Sequence, residues 1–298
     1  MDNFIRKITV LIKEQLGSDY DIRVDLIRKN NDTELHGLII SNGDVKNKML
    51  PTIYLENFFY DYQHGLSLEE ITKRIIGIYN ANSTACDFNA SEVLDFDTIK
   101  NRITFQLVNT ERNAKFLQTV PHLQYLDFSI IFRINIESTT PEYASIIIKN
   151  ELFKSWGVDI NELYKIAMTN TPRLMPCSIT NMSQVIKDLQ GEFDADCEDY
   201  IPMIPMYVIT NDRKTNGCGC ILYPDVIENF ANVIRSDLYL LPSSVHEMLA
   251  VPVSFGSPEE LKSIVHEVNC TQVSREDFLS DNVYRYNRDT KKIEILAV

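Results

Sequence analysis

The first apolar residues, Phe4, Ile5, Ile8, Leu11, Ile12 and Leu16, recur at the helical period of about 3.6, and Gly17 stands where such a helix would close. The period then switches to two. Ile22, Val24 and Leu26 alternate with Arg23 and Asp25, Asn30-Asn31-Asp32 supplies a turn, and Leu35 to Ile40 returns as a second strand. The aromatic run after Pro51 is expected to turn helical from about Tyr54. Ser67-Leu68-Glu69-Glu70 spells a capping box, and the helix it opens is expected to bury Leu68, Ile71, Ile75 and Ile78, with a polar loop from Asn80 to Asn89.

From Asp97 to Leu117 the pattern predicts two short helices broken at Asn109-Thr110. The clearest strand follows: Leu126, Phe128, Ile130, Phe132 and Ile134 alternate with Asp127, Ser129 and Arg133 among the opposite positions. Thr139-Thr140-Pro141 is expected to turn the chain so that Tyr143 to Ile148 pairs back.

In the second half, Asp159 with Glu162 caps a helix that buries Leu163, Ile166 and Ala167. Pro172 to Pro205 reads mostly as loop, with one helix near Ser183 to Leu189 and an acidic loop near 190–200 (Glu192, Asp194, Asp196, Glu198, Asp199). Met206 to Thr210 predicts a strand, Asn216-Gly217 a hairpin turn and Cys218 to Tyr223 its partner. Pro224 suits the first position of a helix carrying Val226, Ile227, Phe230, Ala231 and Ile234 inward. Asp237 to Leu241 and Val245 to Val253 read as strands around a turn at Pro242-Ser243-Ser244. Ser257-Pro258-Glu259-Glu260 opens a helix with Leu261, Ile264, Val265 and Val268 on its apolar face, and Val283 to Tyr286 with Ile293 to Leu296 suggest a last hairpin.

These elements predict an α+β protein of antiparallel sheets with helices packed on them. The expected organisation is an N-terminal half, residues 1–150, and a C-terminal half, residues 151–298, read as strand-strand-helix-strand-strand-helix.

Composition narrows the function classes. With 44% apolar and 24% charged residues among 298, the chain is globular, and ten glycines and eleven prolines are too few for a linker-dominated protein. The formal net charge of −13 disfavours direct binding to nucleic acid, since phosphate contacts need clustered Lys and Arg. No apolar run approaches the ~18 residues of a membrane helix, and Met1-Asp2-Asn3-Phe4 lacks the basic start of a secretory signal. The six scattered cysteines (86, 177, 197, 218, 220, 270) read as reduced thiols in a cytoplasm.

Leu241-Pro242-Ser243-Ser244-Val245-His246-Glu247-Met248-Leu249 concentrates more candidate chemistry than any other stretch. Ser243 or Ser244 with His246 as base would make a hydrolase centre, but the Gly-x-Ser-x-Gly elbow is missing. His246-Glu247 lacks the second histidine of a zincin, because position 250 is Ala. The competing reading is a turn in which Ser243, Ser244 and His246 satisfy backbone groups. His266-Glu267 reads as a solvated helix face. Cys218-Gly219-Cys220, with Cys197 or Cys177, lacks the paired spacing of structural zinc and reads as small core residues on one strand face. The acidic loop departs from a calcium loop and lacks its central glycine. No nucleotide-binding glycine motif occurs. No metal and no cofactor are therefore expected.

Several stretches together resemble an uncharacterised family of clostridial, gut-associated Firmicutes, known as a domain of unknown function. They are Pro51-Thr52-Ile53-Tyr54-Leu55, Trp156-Gly157, Glu162-Leu163-Tyr164 with Ala167 and Asn170-Thr171, and Tyr207 with Thr210-Asn211. Leu241-Pro242-Ser243-Ser244, His246-Glu247, Glu267-Val268-Asn269 and Leu279-Ser280-Asp281 with Tyr284 and Tyr286 continue them, over most of the chain. Where the family pattern has Gly-Ala, this chain has Gly217-Cys218, which further weakens a zinc role for Cys218. The resemblance implies a bacterial cytoplasmic protein and carries over no activity. The functional expectation is a non-catalytic protein that binds another protein or a small ligand. The alternatives are a hydrolase centred on Ser243, Ser244, His246 and Glu247, or an acidic DNA mimic that inhibits a nucleic-acid enzyme.

Overall fold

The amphipathic N-terminal run forms α1 (Asp2–Leu16), and Phe4, Ile8 and Ile12 are its buried face. The structure is a computed structural model, and it describes residues 1–42, 52–82, 90–136, 144–190 and 205–297. The expected turn at 139–141 and the acidic loop near 190–200 lie outside the described residues. The architecture is α+β with antiparallel sheets. The chain divides into two compact units, Met1–Lys100 with Asn135–Ile146, and Asn101–Ile134 with Ile147–Val298.

In the first unit β1 (Tyr20–Arg28) and β2 (Glu34–Asn42) form the expected hairpin, and β3 (Thr52–Tyr54) adds to β2. Helix was expected from about Tyr54, and it begins two residues later. Leu38↔Ile53 pairing draws Thr52–Tyr54 into the sheet, and α2 (Glu56–Gln63) starts only after Leu55. Ser67 and Glu70 make the reciprocal capping bonds that open α3 (Leu68–Asn82). Leu38, Ile40, Ile53, Leu55, Ile71 and Ile75 join the α1 face in one core. Ile71 and Ile75 are buried as expected, but at the end of α3 Tyr79 is buried in place of Ile78, which is exposed.

The second unit holds the largest departure from the sequence pattern. After the short α4 (Phe96–Ile99), residues expected to be helical form strand β4 (Ile103–Asn109), every one of them buried. A strand buried on both faces shows no alternation to distinguish it from a buried helix. The helical expectation survives only at the margins, in α4 and in α5 (Ala114–Leu117). β5 (His122–Tyr125), which the pattern did not reveal, turns into β6 (Phe128–Ile136), and β6 lies between β4 and β5. Leu126 was expected on the strand's apolar face. It is instead the first of two turn residues, with φ of 55°, a conformation glycine adopts easily and leucine rarely.

β7 (Ala144–Ile147) and α6 (Asn150–Trp156, closed by left-handed Gly157) lead to α7 (Ile160–Leu174), capped by Asp159 as expected. Among the described residues β4 is an edge strand, so one row of its amides and carbonyls has no strand partner. α7 supplies side chains instead. Asn170 Nδ2 donates to Ile103 O at 3.0 Å, and Thr171 Oγ1 accepts from Phe105 N at 3.1 Å.

The remaining sheet runs β13-β12-β10-β11-β9-β8. Its members are β8 (Cys177–Asn181), β9 (Tyr207–Asn211), β10 (Leu238–Pro242), β11 (Met248–Pro252), β12 (Tyr284–Asn287) and β13 (Lys292–Ile295). β8 falls in a stretch expected to be loop, followed by the expected helix α8 (Met182–Gln190). The hairpin expected at Asn216-Gly217 is absent: β9 pairs with β8 and β11, and Gly217–Leu222 forms 3-10 turns. Cys218 and Cys220 are buried in those turns rather than on a strand face. α9 (Val226–Ile234) follows Asp225, and α10 (Pro258–Thr271) carries the full capping box of Ser257 and Glu260. Leu261 and Val265 of α10 pack on Leu241, Val251 and Val283, while Ile264 and Val268 are exposed.

Replacing Thr171 by Val keeps the volume but leaves the Phe105 amide without its acceptor. This change is expected to destabilise the protein by about 1–3 kcal/mol in urea unfolding, whereas exposed Thr169→Val on the same helix stays within about 0.5 kcal/mol. Equal midpoints for the two variants would show that the edge of β4 does not need the hydroxyl.

Candidate functional site

The polar run singled out in the sequence forms the turn between β10 and β11. The turn continues through Glu247, because β11 begins only at Met248. Ser244 N donates to Glu247 O at 3.3 Å and closes it, and Ser244 Oγ accepts from His246 N at 3.0 Å. Ser243 Oγ donates to Glu247 Oε1 at 3.0 Å. Val245 is buried and its amide donates to Asp277 O at 2.8 Å.

His246 reaches outside its turn. Its Nδ1 accepts from Asn216 N at 3.1 Å, which puts the ring proton on Nε2, 3.1 Å from Asp277 Oδ1. Asp277 Oδ2 accepts from Ser274 Oγ at 2.8 Å. The bond from His246, helped by Ser274 and opposed by burial, holds the Asp277 carboxyl below its ordinary range. Beneath the turn, Thr210 Oγ1 donates to His246 O at 2.8 Å, and a Cβ on Gly217 would meet Thr210 Oγ1 at 2.3 Å and His246 O at 2.6 Å. Only glycine allows this approach. The imidazole thus ties the turn to the 3-10 segment and to the loop after α10. Both ring nitrogens are engaged in doing so, and neither Ser243 nor Ser244 is hydrogen-bonded to the ring.

A second set of polar residues, which the sequence did not single out as a group, lines a cleft of about 360 Å³. Asp127, the other residue of the β5–β6 turn, is its centre. Its carboxylate accepts from Tyr284 Oη at 2.6 Å, Ser280 Oγ at 2.7 Å and Asn282 Nδ2 at 3.0 Å. Burial first, and Asp127 next, push the Tyr284 hydroxyl up, so it stays protonated as a donor. Asn109, at the end of β4, donates to Leu279 O at 2.9 Å and accepts from Arg112 N at 2.8 Å. The Arg112 guanidinium lies 3.3 Å from the centroid of the Phe278 ring. Glu111 and Asp281 complete the acidic lining. The available signal was Leu279-Ser280-Asp281-Asn282-Val283, a polar triplet between apolar residues, but its partner Asp127 is distant in sequence.

A larger cleft of about 470 Å³ is lined by Tyr125, Tyr223 and Tyr286, and Lys291 pairs with Glu228 there at 2.5 Å. Burial raises the Tyr125 hydroxyl to about 12. Asp225 and Lys292 line the cleft as well, so charges of both signs are mixed on its walls. Among the described residues no three His, Cys, Asp or Glu side chains converge as a metal site. The described cysteines are free thiols. Cys220 donates to Thr210 O at 3.2 Å. Cys86 and Cys197 lie outside the described residues.

Two outcomes test the His246 clamp. His246→Ala is expected to lower stability by about 1–3 kcal/mol in urea unfolding, since Asn216 N and Asp277 lose a partner. The Asp277 carboxyl is depressed in the folded state, so its contribution is present above the unfolded pKa near ~4 and is lost as pH falls through the folded value. Acid titration of stability should therefore show a shallower fall below about pH 4 in His246→Ala than in the parent. A parallel pair of acid curves would exclude the clamp.

No curated protein and no solved structure matches the chain. Residues 1–288 match the profile of DUF5688, a family of unknown function, and the chain belongs to that family.

Proposed function

We propose that this is a non-catalytic binding protein whose ligand is a small, polar cation taken up in the Asp127 cleft. The observation that carries this reading is the charge of the lining: Glu111, Asp127 and Asp281 face one arginine, and that arginine's charge lies on the Phe278 ring. The volume, about 360 Å³, falls at the small end of ligand sites, which favours a compact molecule over a peptide. The polar groups are held before any ligand arrives. Asp127 is fixed by three donors and Asn109 by bonds through both ends of its amide, so binding requires little ordering. An amine or guanidinium would replace lost water bonds with charge-assisted ones. The net charge of −13 raises the local concentration of such cations. The His246 turn contributes by holding the loop that carries Phe278 and Ser280.

Titration calorimetry with small amines and guanidinium compounds, set against anions of similar size, tests the reading. A cation is expected to bind and, at about a hundred times its Kd, to stabilise the fold by about 2.7 kcal/mol. Glu111→Gln should weaken it while leaving the ligand-free unfolding midpoint unchanged. Equal binding of anions, or a Glu111→Gln variant with parent affinity, would refute the proposal.

A further inference from the structure

We propose that Cys270, His266 and Asp281 form a reactive thiol centre that exchanges with low-molecular-weight disulfides. This inference does not rest on the ligand of the cleft. Cys270 and His266 are one turn apart on α10, and Cys270 Sγ lies 3.7 Å from His266 Nε2. The other ring nitrogen, Nδ1, lies 3.4 Å from Asp281 Oδ2. Asp281 is in turn held from the helix itself, because buried Asn269 donates through Nδ2 to Asp281 Oδ1 at 2.8 Å and to Ser280 O at 3.0 Å. The order is thiol, imidazole, carboxylate and a buried amide that fixes the carboxylate. This is the arrangement in which a base next to a nucleophile is oriented by a third group.

Exposure sets the substrate class. Cys270 is exposed, whereas Cys218 and Cys220 are buried. Cys270 lies outside both clefts described above, and its exposed sulfur is open to a small molecule in solution. A small disulfide needs only in-line access to sulfur. In the exchange, the Cys270 proton passes to His266 Nε2 and the sulfur attacks one sulfur of the disulfide. A new sulfur–sulfur bond forms at Cys270 while the old one breaks. The departing thiolate takes the proton back from His266 and leaves as a thiol. One sulfur of the small disulfide is reduced and Cys270 is oxidised to a mixed disulfide, so electrons and protons balance.

The test uses the full chain with Cys86→Ser and Cys197→Ser, treated with oxidised glutathione and followed by peptide mass spectrometry. Glutathione is expected on Cys270 before Cys177. His266→Ala, on an exposed helix face, is expected to keep the parent unfolding midpoint and to slow the modification about a hundredfold. Free imidazole in the buffer should restore the rate. Label arriving first at Cys177, an unchanged rate in His266→Ala, or a slowed rate that imidazole leaves slow would each overturn the proposal.

Discussion

Strand β4 sets the constraint on which the second unit depends. It is buried along its whole length, yet among the described strands it is an edge, so half of its backbone polar groups face the interior without a neighbouring strand. A buried amide left unpaired costs as much as a lost hydrogen bond. α7 meets this need with Asn170 and Thr171, whose side chains take the places of a missing strand. The helix and the strand are therefore in fixed register. That register sets the position of Asn109 at the strand's end, where the amide side chain joins Leu279 O to the Arg112 backbone.

The same logic of buried groups seeking partners organises the loop between α10 and β12. The loop is held at Asp277 by His246 and by the Val245 amide, and at Ser280 and Asn282 by Asp127. Asn269 holds the stretch between from below. Asp127 in turn sits beside Leu126, whose left-handed backbone is the kind of local strain that persists when its surroundings over-determine it. Three bonds to one carboxylate and the bond from Thr110 N to Asp127 O at 3.0 Å do so.

This loop also links the two chemical proposals. Asp281 faces the acidic cleft on one side and His266 on the other, so the cleft and the thiol share a single carboxylate. The serine-rich turn acts at one remove. Its histidine spends both nitrogens on tethering segments, which makes it a support for the loop.

Local pattern determined the elements whose burial is one-sided. α1, the β1–β2 hairpin, the capped starts of α3, α7 and α10, and the β12–β13 hairpin all carry a period or a cap that only one structure satisfies. The β10–β11 hairpin, buried on both faces, was marked instead by its turn residues Pro242-Ser243-Ser244. The family likeness was legible too, because Leu279-Ser280-Asp281 and Asn170-Thr171 stand out as residue strings. What tertiary structure decided was the fate of segments buried on every side or paired at long range. β4 and β8 read as helix or loop because a doubly buried or short strand leaves no alternation, and Cys218 to Tyr223 lost its place in the sheet when β8 and β11 took both edges of β9. The cleft was hidden for the same reason. Asp127 and Ser280 stand 153 positions apart, and only the packing of β6 against the strand that follows Ser280 brings carboxylate, hydroxyl and phenol together.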